Sequence, residues 1–190
     1  MLNLISPPAL EPVTTVEMKA HLRIDDASED AVLADYISTA RETIERRTGL
    51  ALITQSWLLT LDCWPQNGIV ELPRSPLIAI QSIDLFGADG LPVTLDSQQY
   101  QVDIRSFPGR IIVNQGGSLP LSGQSLSGIE IRFDAGYGLT GSSVPASLTH
   151  AIKLLTAQFF ESRVISALPD AVDATIDGLI APFRVLRFAL

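Results

Sequence analysis

The residues that most resemble a ligand-binding motif are three glycines, Gly136, Gly138 and Gly141, which match the pattern G-x-G-x-x-G. In a dinucleotide site the third glycine lies within the start of a helix, so that backbone amides face the pyrophosphate. Here Ser142 to Pro145 separate the last glycine from the predicted helix, and too little chain follows to supply the remaining parallel strands. The glycines therefore favour a strand-to-helix turn, and no cofactor is expected.

A serine nucleophile is the second candidate, because residues 123–128 approach the pattern G-x-S-x-G with Ser125 at its centre. The closing glycine is replaced by Ser127, and the segment lies in a predicted loop. Its base would have to be one of the two histidines: His21, which we expect to be solvated, or His150, which we expect to be partly buried. The chain is predicted not to be an enzyme. An esterase-like or ligand-binding enzyme using Ser125 or the glycine turn is kept as an alternative.

Metal and redox chemistry lack suitable residues. Cys63 is the single cysteine, so it cannot form an internal disulfide and would need other ligands to bind zinc. The acid pairs at residues 25–26 and 29–30 lack the alternating spacing of a calcium loop, and they are better explained as charges at a helix start. The arginines at residues 46–47 are likewise explained as helix-end charges. No metal site is expected.

The composition excludes further classes of protein. The chain has 190 residues, 46% of them hydrophobic, and a formal charge of -8 from 13 basic and 21 acidic residues. An acidic chain gains little from a phosphate backbone, so general nucleic-acid binding is disfavoured. We find no apolar run of the ~18 residues that cross a bilayer, and the first residues do not resemble a signal peptide. One cysteine is typical of a chain made in a reducing cytosol.

The elements that position these residues fall into an α+β arrangement: a small helical bundle interrupted by an antiparallel sheet. Thr14 and Glu17 predict a capping box, and Ser28 is expected to cap a second helix that ends at Gly49. Short alternating strands with turn pairs predict a β-rich insertion. The predicted domain boundaries are 1–53 for the N-terminal helices, 54–135 for the insertion, 136–168 for the third helix, and 169–190 for a polar linker and a C-terminal segment.

The C-terminal segment is apolar and basic. After Pro182 it carries five large apolar side chains and two arginines without an acidic residue. Burying each apolar side chain contributes ~1.5–3 kcal/mol, so they are expected to be covered. Two interpretations remain open: the segment packs on the core of its own chain, or it docks into another protein.

Four passages together resemble the head–tail connector (adaptor) proteins of long-tailed bacteriophages and of phage-like gene transfer agents. They cover nearly the whole chain, least clearly between residues 66 and 128. In chain order they are Leu22-Arg23-Ile24-Asp25 with Glu29-Asp30 and Leu33; Glu45 to Leu52 running into Gln55-Ser56-Trp57; Ala135-Gly136-Tyr137-Gly138 leading to Val144-Pro145 and the helix Ala151 to Arg163; and Pro182-Phe183-Arg184 with Arg187.

The resemblance implies a structural virion protein without catalysis, made in the host cytoplasm and located in the neck of a phage or phage-like particle. Such adaptors form rings, commonly of twelve copies, beneath the portal, and they bear the stopper and tail. DNA passes through the lumen without sequence-specific binding. Another neck protein, a stopper or tail-completion subunit, remains an alternative. The segment implied to dock into the portal carries Leu179, Ile180, Phe183, Arg184, Leu186, Arg187, Phe188 and Leu190.

Overall fold

The computed structural model describes residues 1–113, 122–162 and 169–184, and the chain divides into two compact units. The β unit comprises Met1–Pro7 and Thr54–Gly136, and the helical unit comprises Pro8–Ile53 and the chain from Tyr137 onward. The predicted α+β class is confirmed. The elements are β1 (Leu2–Ser6), α1 (Thr15–Leu22), α2 (Asp30–Thr48), β2 (Gln55–Leu61), β3 (Ile69–Glu71), β4 (Leu77–Phe86), β5 (Pro92–Thr94), β6 (Tyr100–Asp103), β7 (Arg110–Val113), β8 (Ile129–Ala135), α3 (Ala146–Ser162) and α4 (Asp170–Ile180).

The β unit contains two antiparallel sheets where the sequence predicted one. Five strands pair in the order β1-β2-β8-β4-β5, and three pair in the order β3-β7-β6. In the larger sheet Trp57 lies opposite Phe133 and Leu59 opposite Ile131, so alternate side chains of both strands face the buried side. This alternation is the pattern that identified β2 and β8 in the sequence.

Strand β1 is an addition to the predicted elements. Residues 1–53 were expected to contribute helices alone, but Leu2–Ser6 forms an edge strand that pairs with β2. The amino group of Met1 donates to the carbonyl oxygen of Thr60 at 2.7 Å. This pairing joins residues more than fifty positions apart, so no local pattern in the first six residues could indicate it.

The helical unit follows the predicted caps at two of three positions. Thr14 and Glu17 form the capping box at the start of α1, and Gly49 ends α2 with a φ of 80°. The sequence spacing of Leu33, Ile37, Ala40 and Ile44 predicts one apolar face of α2, and this face is buried in the core together with that of α3. The prediction for Ser28 was wrong: its N–H and hydroxyl group donate to Asp26, and α2 begins after Glu29 without a side-chain cap.

A buried charged group fixes the middle of α2. Arg41, which is 6% exposed, donates to Glu11 and to Glu45, each at 2.8 Å. Burial lowers the pKa of the Arg41 guanidinium, but the two carboxylates outweigh that effect and leave its pKa raised. The cluster therefore stays charged and joins the segment before α1 to α2.

Within the described residues, no helix is long and apolar enough to span a membrane.

Candidate functional site

The glycine motif serves packing in the structure. Gly141 begins a short 3-10 helix at Gly141–Ser143, and a Cβ atom placed on it would lie 2.4 Å from the carbonyl oxygen of Pro12. Gly138 has a φ of 153°, in a region that favours glycine. The segment is thus a strand-to-helix turn, as the spacing predicted, with its last glycine placed against neighbouring backbone.

The residues of the serine hypothesis are not brought together by any described contact. Ser125 is exposed in the β unit, where it lines a cavity of about 260 Å³ whose described lining contains no histidine. His21 and His150 belong to the helical unit and meet edge-on, with ring centroids 6.4 Å apart. Both imidazoles are exposed, so the expectation that His150 is partly buried was wrong. Its position on α3 faces away from the row of buried residues that includes Leu148 and Ile152.

The acid pairs are engaged by neighbouring donors. Asp26 accepts two hydrogen bonds from Ser28, and these lower the pKa of its carboxyl group. Asp30 pairs with Lys19 at 2.8 Å. No three potential metal-ligating side chains cluster anywhere in the described part of the chain.

The C-terminal region differs most from its prediction. Residues 169–177 were expected to be a polar link, but Asp170–Ile180 form helix α4. Asp170 and Asp173 lie in its first turn, where negative charge is favourable, and Val172, Ile176 and Ile180 recur on one face. The acidic residues that suggested a link are therefore charges at a helix start, and the apolar residues between them form the buried face.

Helix α4 packs on the core of its own unit. Ile176 and Ile180 are fully buried, and Leu179 and Phe183 are partly buried against the same core. Arg184 is exposed and donates to Asp177 at 2.8 Å. The other four residues assigned to portal docking, Leu186, Arg187, Phe188 and Leu190, lie outside the described residues. The described part of the segment is thus anchored at Ile180, and beyond it only Phe183 is partly buried.

Ion pairs connect α4 to the end of α2. Arg47 in the last turn of α2 donates to Asp173 at 2.6 Å and to Asp177 at 3.4 Å. These side chains are between 28% and 44% exposed, so each pair contributes at most about 1 kcal/mol. The arginine that the sequence suggested to be a helix-end charge therefore also positions α4, and the pairs orient the helix more than they stabilise it.

The N-terminal part of this architecture carries a family signature. Residues 14–85 match the family model described as Phage gp6-like head-tail connector protein. The matched range covers α1, α2, β2, β3 and β4 up to its last residue but one. Over this range the chain is similar to head–tail connector proteins, and the resemblance that the sequence indicated is confirmed.

Solved structures extend the similarity over both units. A chain from the neck of an empty gene transfer agent particle, computed with C6 symmetry, is 28% identical, with a TM-score of 0.86. Chains from the virion of a native gene transfer agent particle and from the neck of a native particle computed with C12 symmetry are each 29% identical, with TM-scores of 0.83 and 0.76. Each comparison covers 99% of this chain and 97% of the other. No curated protein matches.

Proposed function

We propose that the chain is a structural virion protein of the neck, a head–tail connector of the adaptor type. Such a protein forms a ring under the portal and links the DNA-filled head to the stopper and tail. The observation that carries the proposal is the similarity to gene transfer agent neck chains along 99% of the sequence. The similarity includes both the helical and the β unit, so it extends beyond the family match to residues 14–85.

A ring of twelve copies is consistent with the symmetry of the similar necks, which were computed with C6 and C12 symmetry. The formal charge of -8 also suits a part through which DNA passes. Basic side chains gain free energy by releasing phosphate counterions, whereas an acidic or neutral lumen does not hold the duplex. The matched family is one of structural connector proteins, so we propose no catalytic role.

The portal is the proposed partner of the C-terminal segment. Ile180 anchors this segment in the core of the helical unit, while Phe183 is partly covered and Arg184 exposed. Beyond Arg184 the sequence supplies Leu186, Phe188 and Leu190 with Arg187 and no acid. Covering those apolar side chains on a portal subunit would contribute ~1.5–3 kcal/mol each, and the arginines would match an acidic rim.

The test is to locate the chain in particles and then remove its end. Labelled chain should appear as a ring directly below the portal, and a ring further down would identify a stopper instead. Deletion of residues 185–190 leaves the anchor at Ile180 and the ion pairs of Asp177 in place. The truncated protein should keep the thermal unfolding of the intact chain but fail to attach to purified portal. Attachment at full strength would show that the portal contact lies elsewhere.

A further inference from the structure

The turn between β6 and β7 presents apolar side chains to solvent. Ile104 is 54% exposed and Phe107 is 49% exposed, and Arg105 between them is exposed as well. We call these three residues the knob. Exposed aromatic, aliphatic and arginine side chains in one short turn have the composition that dominates protein interfaces.

The backbone of the knob is held in one conformation by a single carboxylate. Asp103 accepts hydrogen bonds from the N–H groups of Arg105 and Ser106, from the Ser106 hydroxyl group and from the Arg110 guanidinium. The apolar side chains of the turn are therefore presented on an ordered loop. Binding through an ordered loop loses less conformational entropy than binding through a flexible one.

The β unit also contains a cavity large enough for the aromatic ring of the knob. It is the cavity of about 260 Å³ next to Ser125, with the buried side chains of Trp64 and Ile129 in its lining and the exposed Asp62 and Cys63 at its edge. A cavity of about 150 Å³ suffices to hold benzene, so this one has room for a phenyl ring. The carboxylate of Asp62 supplies the charge complementary to an arginine.

The knob and the cavity lie at opposite ends of the three-stranded sheet. At one end Val113 donates to the carbonyl oxygen of Gly68, whose own N–H closes a turn onto Pro65, next to Trp64. At the other end Leu72 donates to the carbonyl oxygen of Gly109 in the knob turn. Because strand β7 between them rises ~3.3 Å per residue, the two ends are separated by about 10 Å. The knob therefore cannot fill the cavity of its own subunit.

We propose that the knob of one copy inserts into the cavity of the next copy, with Phe107 against Trp64 and Arg105 facing Asp62. Two different surfaces at opposite ends of one unit make a heterologous contact, which repeats from copy to copy and closes into a ring when the rotation allows. The inference rests on the ring assembly proposed above and names the contact that forms it. The apolar insertion supplies affinity, and the charge pair sets the register.

The cavity provides its own chemical reporter, because Cys63 is exposed and is a free thiol. In Arg105→Cys chains the new thiol should approach Cys63 of the neighbouring copy within the reach of a disulfide. Diamide, which takes up the two electrons and two protons of the thiol pair, should convert such particles into a reducible ladder of dimers and higher oligomers. Arg105→Cys combined with Cys63→Ser should give no ladder. A cysteine at Leu139, an exposed apolar position that belongs to neither the knob nor the cavity, should give none either.

The outcomes separate this inference from the proposed function. Rings without a ladder would overturn the knob-and-cavity contact and leave the neck assignment standing. Cross-linking of the knob to a different virion protein would also overturn it, since the occupant would not be a second copy. Absence of any ring in particles would remove the proposed function, and the inference with it.

A second measurement uses truncation of the aromatic side chain. Phe107→Ala should lower the yield of assembled rings about tenfold or more, as expected for a central interface anchor, with the unfolding temperature unchanged. Leu139→Ala removes an exposed apolar side chain that belongs to neither the knob nor the cavity, and it should leave the yield as in the wild type. Equal yields for the two variants would contradict the proposal.

Discussion

Glu45 and Leu52 are joined by a hydrogen bond of 2.8 Å between a side-chain carboxylate and a backbone N–H group. The second oxygen of the same carboxylate pairs with Arg41 at 2.8 Å. Both charged side chains are nearly buried, so one carboxylate fixes the path of the chain where it leaves α2. The segment from Glu45 to Leu52 is one of the passages that carried the family resemblance, and its polar contacts give that passage a structural role.

Replacing Glu45 by alanine should destabilise the helical unit by about 3 kcal/mol or more. The substitution leaves the buried Arg41 with reduced compensation and the N–H of Leu52 without its acceptor, and breaking a buried pair costs about 3–5 kcal/mol. Urea unfolding monitored by circular dichroism measures the change. Glu42→Ala is the matched control: Glu42 also pairs with Arg41, at 3.5 Å, but it is 62% exposed. It should cost less than about 0.5 kcal/mol, and equal effects of the two variants would contradict the burial argument.

Substitutions at Ile180 and Leu179 test whether the described end of the chain packs on its own core. Ile180 is 0% exposed whereas Leu179 is partly exposed at the edge of the same core. Ile180→Ala should therefore cost about 2–5 kcal/mol of unfolding free energy, and Leu179→Ala should cost less. Thermal and urea unfolding of both variants provide the comparison. A stable Ile180→Ala protein that no longer binds portal would show instead that this side chain leaves its core on docking.

The structural features that the sequence predicted correctly are those formed by residues close together in the chain. The cap at Thr14, the buried face of α2 and the left-handed end at Gly49 were all read from neighbouring residues, and the structure confirms them. Strand β1 was missed because its stability comes from pairing with β2, far along the chain. Ser28 has a side chain that could cap a helix, but its hydroxyl group donates to the carboxylate of Asp26 instead.

The C-terminal segment, the knob and the cavity show the same contrast between local and long-range patterns. The sequence indicated the apolar C-terminal segment, but the acids and the glycine within residues 170–178 obscured the helical period of α4. The sequence predicted short strands and a turn pair at Pro108-Gly109 in this region, but it did not indicate the knob, because exposure of Phe107 depends on the register of β6 and β7. The cavity joins residues 62–64 to residues 122–129, which no local spacing connects.

Gly178→Ala should stabilise helix α4 by about 1 kcal/mol. Glycine in a helix interior is less favourable than alanine by about that amount, and a Cβ atom on Gly178 would meet nothing within 4 Å. Amide hydrogen exchange in α4 should slow accordingly, with exchange in α1 unchanged as the internal control. Faster exchange would mean that the added methyl group clashes and that the space is occupied.

The knob turn should lose order in acid through one carboxyl group. The Ser106 hydroxyl group and the other donors to Asp103 lower the pKa of its carboxyl from 3.8 to about 2. A group with a lowered folded-state pKa stabilises the fold above its unfolded-state value, so this stabilisation is complete above about pH 4. It is lost as the pH falls towards 2, when protonation removes the charge that its donors favour.

Titration of the Asp103 carboxyl carbon by NMR should give a midpoint near 2, accompanied by shifts in the amides of Arg105 and Ser106. In Asp103→Asn those amides should be shifted already at neutral pH and should not respond further between pH 4 and 2. A midpoint near 4 in the wild type would show that the carboxylate does not organise the turn.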